Sequence, residues 1–310
     1  MISTFLDIEI IQKLQALEAS IGNTSLLEVK HLNPNKNVKI YAKAEWENIG
    51  GSIKARPAFN IIKRALLDQK WDPGQTLLDA SSGNTGIAYA AIAKALGLQV
   101  KLVIPANASQ ARKDILEQLG AELIYSSALE GTDGAQELAK SLSQQYPWTY
   151  FYADQYSNDH NWKAHYKTAQ EIWTQTKGSI THFITGVGTS GTFTGTTIGL
   201  KKKMRSISAI EVQPDLPMHG LEGWKHMQAA VVPKFYQSQL ADEKRSISSQ
   251  KAYDYIKLAK HKEAWDLSPS AAANLAAAIE LATEISQGVI VTTFPDNASK
   301  YLDVIKQILK

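Results

Sequence analysis

The chain has 310 residues, of which 44% are hydrophobic and 20% are charged, and its formal net charge at pH 7 is +3. Such a composition is typical of a globular protein, and the low net charge argues against nucleic-acid binding, which requires a basic face. The absence of cysteine excludes disulfides, thiolate metal ligands and a cysteine nucleophile. A cytoplasmic location and no metal site are the resulting expectations.

The first ten residues, MISTFLDIEI, contain two acidic side chains and no basic leader, which argues against a signal peptide. The longest apolar stretches fall short of the roughly 20 residues that a membrane span requires. We therefore expect neither export nor membrane anchoring. The segment FLDIEIIQKLQALEA is expected to form a helix that packs either on its own subunit or on a second copy of the chain.

Short β-branched runs then alternate with alanine-rich helical runs along most of the chain. The predicted strands are VKIYAKAE, TLLDA, QVKLVIP, AELIYS, THFITG, SAIEVQP and GVIVTTF. The predicted helices are AFNIIKRALLD, SGNTGIAYAAIAKALG, SQARKDILEQLG, GAQELAKSLSQQY and GTFTGTTIGLKKK. This alternation predicts an α/β fold with parallel sheets that are covered by helices on both faces.

The turn GGSIKARP, residues 50–57, places a single lysine, Lys54, between a predicted strand and a predicted helix. A lone lysine at the start of a helix is ordinarily solvated. Here the glycines make the turn small and bare, and Pro57 suits the first turn of a helix. The function of Lys54 therefore depends on the loops that follow it.

The loop SSGNTG, residues 81–86, follows a predicted strand and opens directly into a helix. Ligands of open α/β sheets bind at the carboxyl ends of strands. The small residues of this loop would expose backbone N–H groups at a helix N-terminus to an anion such as a carboxylate. A plain Ser or Asn helix cap is the alternative interpretation.

The loop GVGTSGTFTG, residues 186–195, also joins a predicted strand to a helix. Its glycine spacing fits a dinucleotide fingerprint, and Glu211 lies at about the distance expected of a ribose-binding acid. Its several hydroxyl side chains favour the three oxygens of a terminal phosphate over a pyrophosphate. A tight turn without a ligand remains the plain alternative.

A lysine on a bare turn, together with a carboxylate site and a phosphate site, suits a Schiff base with a phosphorylated aldehyde. Pyridoxal 5'-phosphate is the obvious cofactor of this kind. Its chemistry needs an amine nucleophile, a phosphate anchor, a partner for the ring nitrogen and a cradle for the substrate carboxylate. The sequence offers a candidate for each of these needs.

Five segments resemble, in the same order, motifs of the cysteine synthase and cystathionine β-synthase family, which are fold type II pyridoxal-phosphate enzymes. They are IGNTSLLEV, GGSIKARPA, SSGNTG, GVGTSGT and FPDNASKY. The segments GSIKARPA, THFITGVGTSGT and GLEGWKHM are most similar to the cysteine synthase B and O-phosphoserine sulfhydrylase branch. The resemblance covers nearly the whole chain.

The resemblance implies a role for each matching residue. Lys54 would form the Schiff base and move the α-proton, and Asn84 would bind the 3′ oxygen of the cofactor. Ser268 would face the pyridine nitrogen. The phosphate would be held by Gly188, Thr189, Ser190, Gly191 and Thr192. The substrate carboxylate would be bound by Ser81, Ser82, Thr85 and Gln155.

The implied reaction is β-replacement on an activated serine, through an α-aminoacrylate, with sulfide or another sulfur donor giving L-cysteine. The implied architecture has a smaller mobile domain, residues 42–150, and a larger cofactor-binding domain, residues 1–41 plus 151–310. The cofactor would lie in the cleft between them. The family also implies a homodimer that acts on a small-molecule substrate and binds neither nucleic acid nor membrane.

Three departures from the family pattern keep alternatives open. Ala55 stands where relatives usually have aspartate, and Pro269 and Ser270 follow Ser268 where relatives have serine and glycine. The segment QPDLPMHGLEGWKHM differs from common O-acetylserine enzymes, and its Lys225 would suit the phosphate of O-phosphoserine. An amine nucleophile, a catalytically quiet binding paralogue and a dinucleotide enzyme are the remaining alternatives.

Overall fold

The computed structural model describes residues 7–309. The chain divides into two compact units. Unit 1 contains the N-terminal helix and Lys54–Asn161, and unit 2 contains Gly22–Ile53 and the chain from Trp162 onward. Within the described range, no helix has both the length and the apolar character needed to cross a membrane.

Strands and helices are numbered in chain order. The strands are β1 (Leu26–Glu28), β2 (Val38–Ala44), β3 (Thr76–Ala80), β4 (Val100–Pro105), β5 (Glu122–Ser126), β6 (Tyr150–Tyr152), β7 (His182–Gly186), β8 (Ser208–Pro214), β9 (Glu243–Ile247) and β10 (Gly288–Phe294). The helices are α1 (Ile8–Ser20), α2 (Ala55–Leu67), α3 (Asn84–Leu96), α4 (Gln110–Gln118), α5 (Gly131–Gln145), α6 (His160–Lys163), α7 (His165–Gln175), α8 (Gly191–Lys203), α9 (Ser249–Glu263), α10 (Pro269–Glu284) and α11 (Leu302–Leu309).

Unit 1 is built on a parallel sheet with the strand order β5-β4-β3-β6. Helix α5 packs on one face of this sheet, where Ala135 and Ala139 meet Leu78 and Val103 in an apolar core. The alanines let the helix approach the strands closely. This packing fixes the carboxyl ends of β3 and β6, from which the loops after residues 80 and 152 emerge.

Unit 2 is built on a sheet with the strand order β1-β2-β10-β7-β8-β9. Only β1 runs antiparallel to its neighbour, and the other pairs are parallel. Helices α9 and α10 contribute to the core on one face, and α7 and α8 contribute to the core on the other. Alternate residues of β8 show the division, because Ile210 and Val212 join the first core and Ala209 joins the second.

The predicted α/β class with parallel-rich sheets is confirmed, and each of the seven predicted strands is present within a residue of its expected bounds. Three strands were not predicted: β1, β6 and β9. Each lacks the buried β-branched run that marks the others. Strand β9 reads EKRSI and lies at the edge of its sheet, where exposed charged residues are tolerated.

The contacts of helix α1 show where part of the N-terminal segment packs. Leu14 is buried, the helix contacts α3, and Glu18 forms a 2.6 Å ion pair with Lys63 of α2. The apolar Ile8 is 71% exposed. The predicted interface residues Phe5 and Leu6 lie outside the described residues. One side of α1 therefore packs on its own unit.

Candidate active site

The bare turn before Lys54 is held by the segment that follows β10. Gly50 and Gly51 have positive φ angles of 72° and 65°, a conformation that favours glycine. The Ile53 N–H donates to the Pro295 carbonyl oxygen at 2.8 Å, and Lys300 Nζ donates to the Gly51 carbonyl oxygen at 2.8 Å. The motifs GGSIKARPA and FPDNASKY are therefore linked directly, although they lie far apart in sequence.

Lys54 itself is the residue that precedes α2, and it has αR backbone angles. Ala55 begins the helix and is completely buried. The residue that departs from the expected family pattern thus presents a methyl group that water cannot reach. Pro57 lies in the first turn of α2, as the sequence predicts.

The glycines of the loop after β7 are required by protein packing. A Cβ on Gly186 would overlap the Trp224 ring, and a Cβ on Gly188 would overlap the Gly223 carbonyl oxygen. The Lys225 N–H also donates to the Val187 carbonyl oxygen at 2.9 Å. The segment 223–225 therefore lies directly on this loop. The glycine spacing that resembles a dinucleotide fingerprint has this steric explanation.

The hydroxyls of the same loop lie at the N-terminus of α8. Ser190 precedes the helix with a positive φ of 65°, is 2% exposed, and has no hydrogen-bond partner for Oγ among the described residues. Thr192 Oγ1 lies 3.3 Å from His165 Nε2, and Thr189 Oγ1 accepts from the Gly191 N–H at 3.4 Å. A buried hydroxyl without a partner is costly unless a ligand completes it.

Glu211, the candidate ribose-binding acid, lies inside unit 2. Its side chain is fully buried, and Oε1 accepts from the Tyr236 hydroxyl at 2.8 Å and from Gln213 Nε2. Burial and the Glu211 carboxylate raise the pKa of Tyr236. These contacts give Glu211 a place in the protein interior, where a ribose would have to displace Tyr236 to reach Oε1.

Ser268 caps helix α10. Its Oγ accepts from the Ala271 N–H at 3.2 Å, and Pro269 occupies the first helical position, which needs no N–H donor. Ser270 Oγ lies 3.2 Å from Ser268 Oγ and 3.5 Å from Asp296 Oδ1. The departure at Pro269 is thus compatible with an ordinary helix start.

In unit 1, the loop after β3 is held by its own first side chain. Ser81 Oγ accepts from the Gly83 N–H at 3.3 Å and from the Gly86 N–H at 3.2 Å. A Cβ on Gly86 would overlap the Ser81 carbonyl oxygen. Asn84 begins α3, and Thr85 is buried in its first turn. Ser81 therefore acts as a cap, which the sequence allowed as the alternative interpretation.

Gln155 reaches the same loop from the segment after β6. Its Nε2 donates to the Ala80 carbonyl oxygen at 3.1 Å, and its backbone N–H donates to Asp79 Oδ2 at 3.2 Å. Asp79 is 1% exposed, and burial raises the pKa of its carboxyl to about 7, although N–H donors lower it. Within unit 1 the structure brings together the predicted carboxylate-binding residues Ser81, Thr85 and Gln155.

The basic residues of the segment after β8 occupy different environments. Lys225 Nζ donates to the Val231 carbonyl oxygen at 3.0 Å. His219 Nδ1 accepts from the Leu221 N–H, and burial together with nearby His226 lowers the pKa of His219. His219 is therefore a poor source of positive charge at neutral pH. Lys225, whose backbone N–H binds the loop after β7, remains the candidate for a leaving-group phosphate.

Comparison with known proteins gives matches over most of the chain. The pyridoxal-phosphate dependent enzyme family matches residues 17–296. The chain belongs to this family. It is 44% identical to a cysteine synthase of Aquifex aeolicus over 290 residues, which are 91% of this chain and 89% of the relative. It is 34% identical to the O-acetylserine dependent cystathionine β-synthase of Bacillus subtilis, over 93% of this chain and 95% of that protein.

A crystal structure of cysteine synthase from Entamoeba histolytica superposes with a TM-score of 0.89 at 30% identity, covering 100% of this chain and 96% of that one. The suspected family, the fold type II architecture and the pyridoxal phosphate cofactor are thereby confirmed. The dinucleotide interpretation of the glycine spacing is set aside, since the family and the packing of Gly186 and Gly188 both account for it.

The residues of the pyridoxal-phosphate enzyme fit a phosphate at the start of α8. The deciding observation is the buried Ser190 Oγ, which has no partner in the described part of the chain and lies at the N-terminus of α8, the end of a helix that favours anions. Thr192 is oriented by His165, which also contacts Thr168 at 3.1 Å. The family's phosphate chemistry would complete this set of donors.

Several residues that shape these loops were not predicted from the sequence. They are Asp79, His165, Gly223, Trp224, Pro295, Asp296 and Lys300. A carboxylate inside the apolar strand TLLDA is one visible signal, because a buried strand position seldom accepts a charge. The segments GLEGWKHM and FPDNASKY, which resemble family motifs, contain Gly223, Trp224, Pro295, Asp296 and Lys300. Their contacts join segments that lie far apart in the chain, so the spacing within a motif does not reveal them.

Proposed function

We propose that this protein catalyses a pyridoxal-phosphate-dependent β-replacement on an activated serine and makes L-cysteine with sulfide. The observation that carries the proposal is its similarity to cysteine synthases along nearly the full length of both proteins. A phosphate site at the start of α8 is supported by the buried Ser190 hydroxyl, which has no described partner and lies at a helix N-terminus.

Lys54 is the proposed nucleophile toward the cofactor aldehyde and the carrier of the α-proton of the substrate. The turn that precedes it is held by the hydrogen bonds of Gly51 and Ile53. Ser268 is the proposed partner of the ring nitrogen, and its neutral hydroxyl suits elimination better than transamination.

The remaining proposed roles concern binding. Asn84 would contact the 3′ oxygen of the cofactor. Gly188, Thr189, Ser190, Gly191 and Thr192 would hold the phosphate. Ser81, Ser82, Thr85 and Gln155 would hold the substrate carboxylate. When bound, pyridoxal phosphate supplies an electrophilic aldehyde and a ring that accepts the electron pair left by the α-proton. With O-acetylserine and sulfide, the products are cysteine and acetate.

The visible absorption spectrum of the purified protein tests this proposal. We expect a yellow protein whose cofactor band changes when O-acetylserine or O-phosphoserine is added, and which forms cysteine once sulfide follows. The Lys54→Ala variant should lose the covalent band and the reaction. Lys63→Ala, on the same helix and paired with exposed Glu18, is the matched control and should keep both. A protein that stays colourless with added pyridoxal phosphate contradicts the proposal.

The leaving group is tested through Lys225. If O-phosphoserine is the preferred donor, Lys225→Ala should lower its kcat/KM about tenfold, as expected for a lost contact to a charged group. The value for O-acetylserine should stay unchanged. If Lys225→Ala leaves the ratio of kcat/KM for O-phosphoserine to kcat/KM for O-acetylserine unchanged, Lys225 does not select the donor. That result favours O-acetylserine, the donor named for the Bacillus subtilis relative.

We also propose a homodimer in the cytoplasm. The exposed Ile8 and Ile11 on α1 support an interface there, since they extend an apolar surface beyond the part that packs on unit 1. Light scattering after size exclusion should give twice the chain mass. An Ile11→Glu variant should shift the mass toward one chain, and an unshifted dimer would place the interface elsewhere.

A further inference from the structure

Asp79 is a buried carboxylate for which the proposed reaction has no task. It is the fourth residue of β3, is 1% exposed, and forms no ion pair within residues 7–309. Burying a carboxylate is unfavourable unless hydrogen bonds compensate for the lost water. A leucine or valine would fill this strand position more cheaply. The position of Asp79 therefore calls for an explanation in its contacts.

The two oxygens of Asp79 bind two backbone N–H groups from different segments. Oδ1 accepts from the Ala80 N–H at 2.8 Å, and Oδ2 accepts from the Gln155 N–H at 3.2 Å. Gln155 has two further anchors, because its Nε2 donates to the Ala80 carbonyl oxygen at 3.1 Å and its carbonyl oxygen accepts from Asn161 Nδ2 at 2.7 Å. Gln155 is thus fixed by its N–H, its side chain and its carbonyl.

These contacts lead directly to the proposed carboxylate site. Ala80 ends β3, and the next residue is Ser81, whose Oγ binds the Gly83 and Gly86 N–H groups. Strands β3 and β6 are parallel neighbours, so both segments leave the same edge of the sheet. One N–H of the Gln155 amide binds Ala80, and an amide nitrogen has a second N–H to offer a ligand.

We propose that Asp79 is a positioning residue that holds Gln155 against the end of β3 and so sets the geometry of the substrate carboxylate site. This inference rests on the proposed function, in which Gln155 and the loop 81–86 bind the carboxylate. Asp79 acts through Gln155 and does not touch the substrate. Its contribution should therefore be visible in donor binding more than in the chemical step.

The acceptor chemistry of Asp79 can be separated from its shape. Asp79→Asn keeps the size of the side chain and one acceptor oxygen, but it turns an NH₂ group toward one of the two N–H donors. Two facing donors repel, so Gln155 would lose its contact or shift. Tyr89→Phe is the matched control, because Tyr89 lies against the Asp79 carboxylate but takes no part in the hydrogen bonds to Gln155.

The test is a double-mutant cycle on the holoenzyme. Steady-state kinetics give KM and kcat for O-acetylserine, and a titration followed by the cofactor absorption gives the dissociation constant for L-serine. We expect Asp79→Asn to raise KM and the dissociation constant about tenfold with kcat changed less than about threefold. We expect Tyr89→Phe to leave both constants unchanged. When Gln155 is already replaced by alanine, Asp79→Asn should change KM and the dissociation constant very little, because Asp79 acts through Gln155.

Equal effects of Asp79→Asn in both backgrounds, or a loss confined to kcat or thermal stability, overturn the inference. If Asp79→Asn does not fold, Asp79→Glu replaces it, since the longer carboxylate keeps its acceptors and displaces Gln155. A raised KM in that variant supports the inference, and an unchanged KM overturns it. A wild-type protein that turns over O-acetylserine while these variants bind it normally leaves the proposed function intact and refutes only the role of Asp79.

Discussion

The loops 81–86 and 186–192 have the same layout but different supports. Each leaves a parallel strand, contains glycine and hydroxyl residues, and opens a helix of 13 residues. In the first loop, Gly86 is required by the Ser81 carbonyl of the same loop. In the second, Gly188 is required by Gly223, from a different part of the chain. The glycine of the first loop is required by the atoms of that loop, and the glycine of the second is required by a packed neighbour.

The serine hydroxyls of the two loops also differ in their hydrogen-bond partners. Ser81 Oγ accepts from two N–H groups of its loop, whereas Ser190 Oγ has no partner among the described residues. Ser81 therefore stabilises the conformation of its own loop, whereas the Ser190 hydroxyl makes no hydrogen bond within the described part of the chain.

The largest predicted effect concerns the carboxylate behind the first loop. Burial raises the pKa of Asp79 from 3.8 to about 7, and the groups that face it are Tyr89 of α3 with Tyr152, Asp154 and Tyr156. Between pH 4 and 7 the unfolded chain has lost this proton and the folded chain retains it. The free energy of unfolding therefore falls as pH rises through this window.

At about 1.4 kcal/mol for each pH unit, the loss between the two pKa values is at most about 4 kcal/mol. Denaturant unfolding measures the free energy of unfolding of the wild type and of Asp79→Asn. We expect the difference between the two proteins to change by a large part of this amount between pH 4 and 7. The variant lacks the titrating group and should show the flatter curve. Asp114→Asn, on the exposed face of α4, is the control. A difference that is constant with pH contradicts the prediction.

The next effect separates the two loops through their glycines. Gly188→Ala should force the loop away from Gly223 at a cost of about 3 kcal/mol and weaken pyridoxal phosphate binding about 100-fold. Gly86→Ala should instead raise the KM for the amino-acid donor and leave cofactor affinity nearly unchanged. Cofactor titration and steady-state kinetics on both variants measure this. Equal losses of cofactor affinity would mean that the loops do not have separate functions.

The strands were predictable because their signal is local. Runs such as GVIVTTF are apolar and β-branched over their whole length, and burial on both faces requires that pattern. Strand β9 was missed because an edge strand need not be apolar. The order of the strands in each sheet could not be derived in the same way, since pairing joins residues that are distant in the chain.

The candidate site was predictable as motifs but not as geometry. Residue type and order single out Lys54 and the loops as candidates, whereas the supports at Pro295, Gly223 and Asp79 depend on contacts between distant segments. Pro269, which departs from the family pattern in sequence, follows a capping serine in the structure and gives an ordinary helix start.

The smallest predicted effect tests whether Ser190 is kept for a ligand. Ser190 has a φ of 65°, which strains a serine and suits glycine. Ser190→Gly should therefore raise the free energy of unfolding of the cofactor-free protein by up to about 1 kcal/mol. The same change removes a hydroxyl donor to a charged phosphate, worth about 1.5 kcal/mol, and should weaken pyridoxal phosphate binding about tenfold.

Thr197→Val is the control for Ser190→Gly, because Thr197 is also a buried hydroxyl of α8 without a described partner but lies farther along the helix. It should leave cofactor affinity unchanged. If the Ser190 hydroxyl binds the phosphate, Ser190→Gly should raise the free energy of unfolding in denaturant experiments and lower the cofactor affinity in titrations. If stability and affinity fall together, Ser190 supports the loop as Ser81 does, and the difference between the two loops reduces to their glycines.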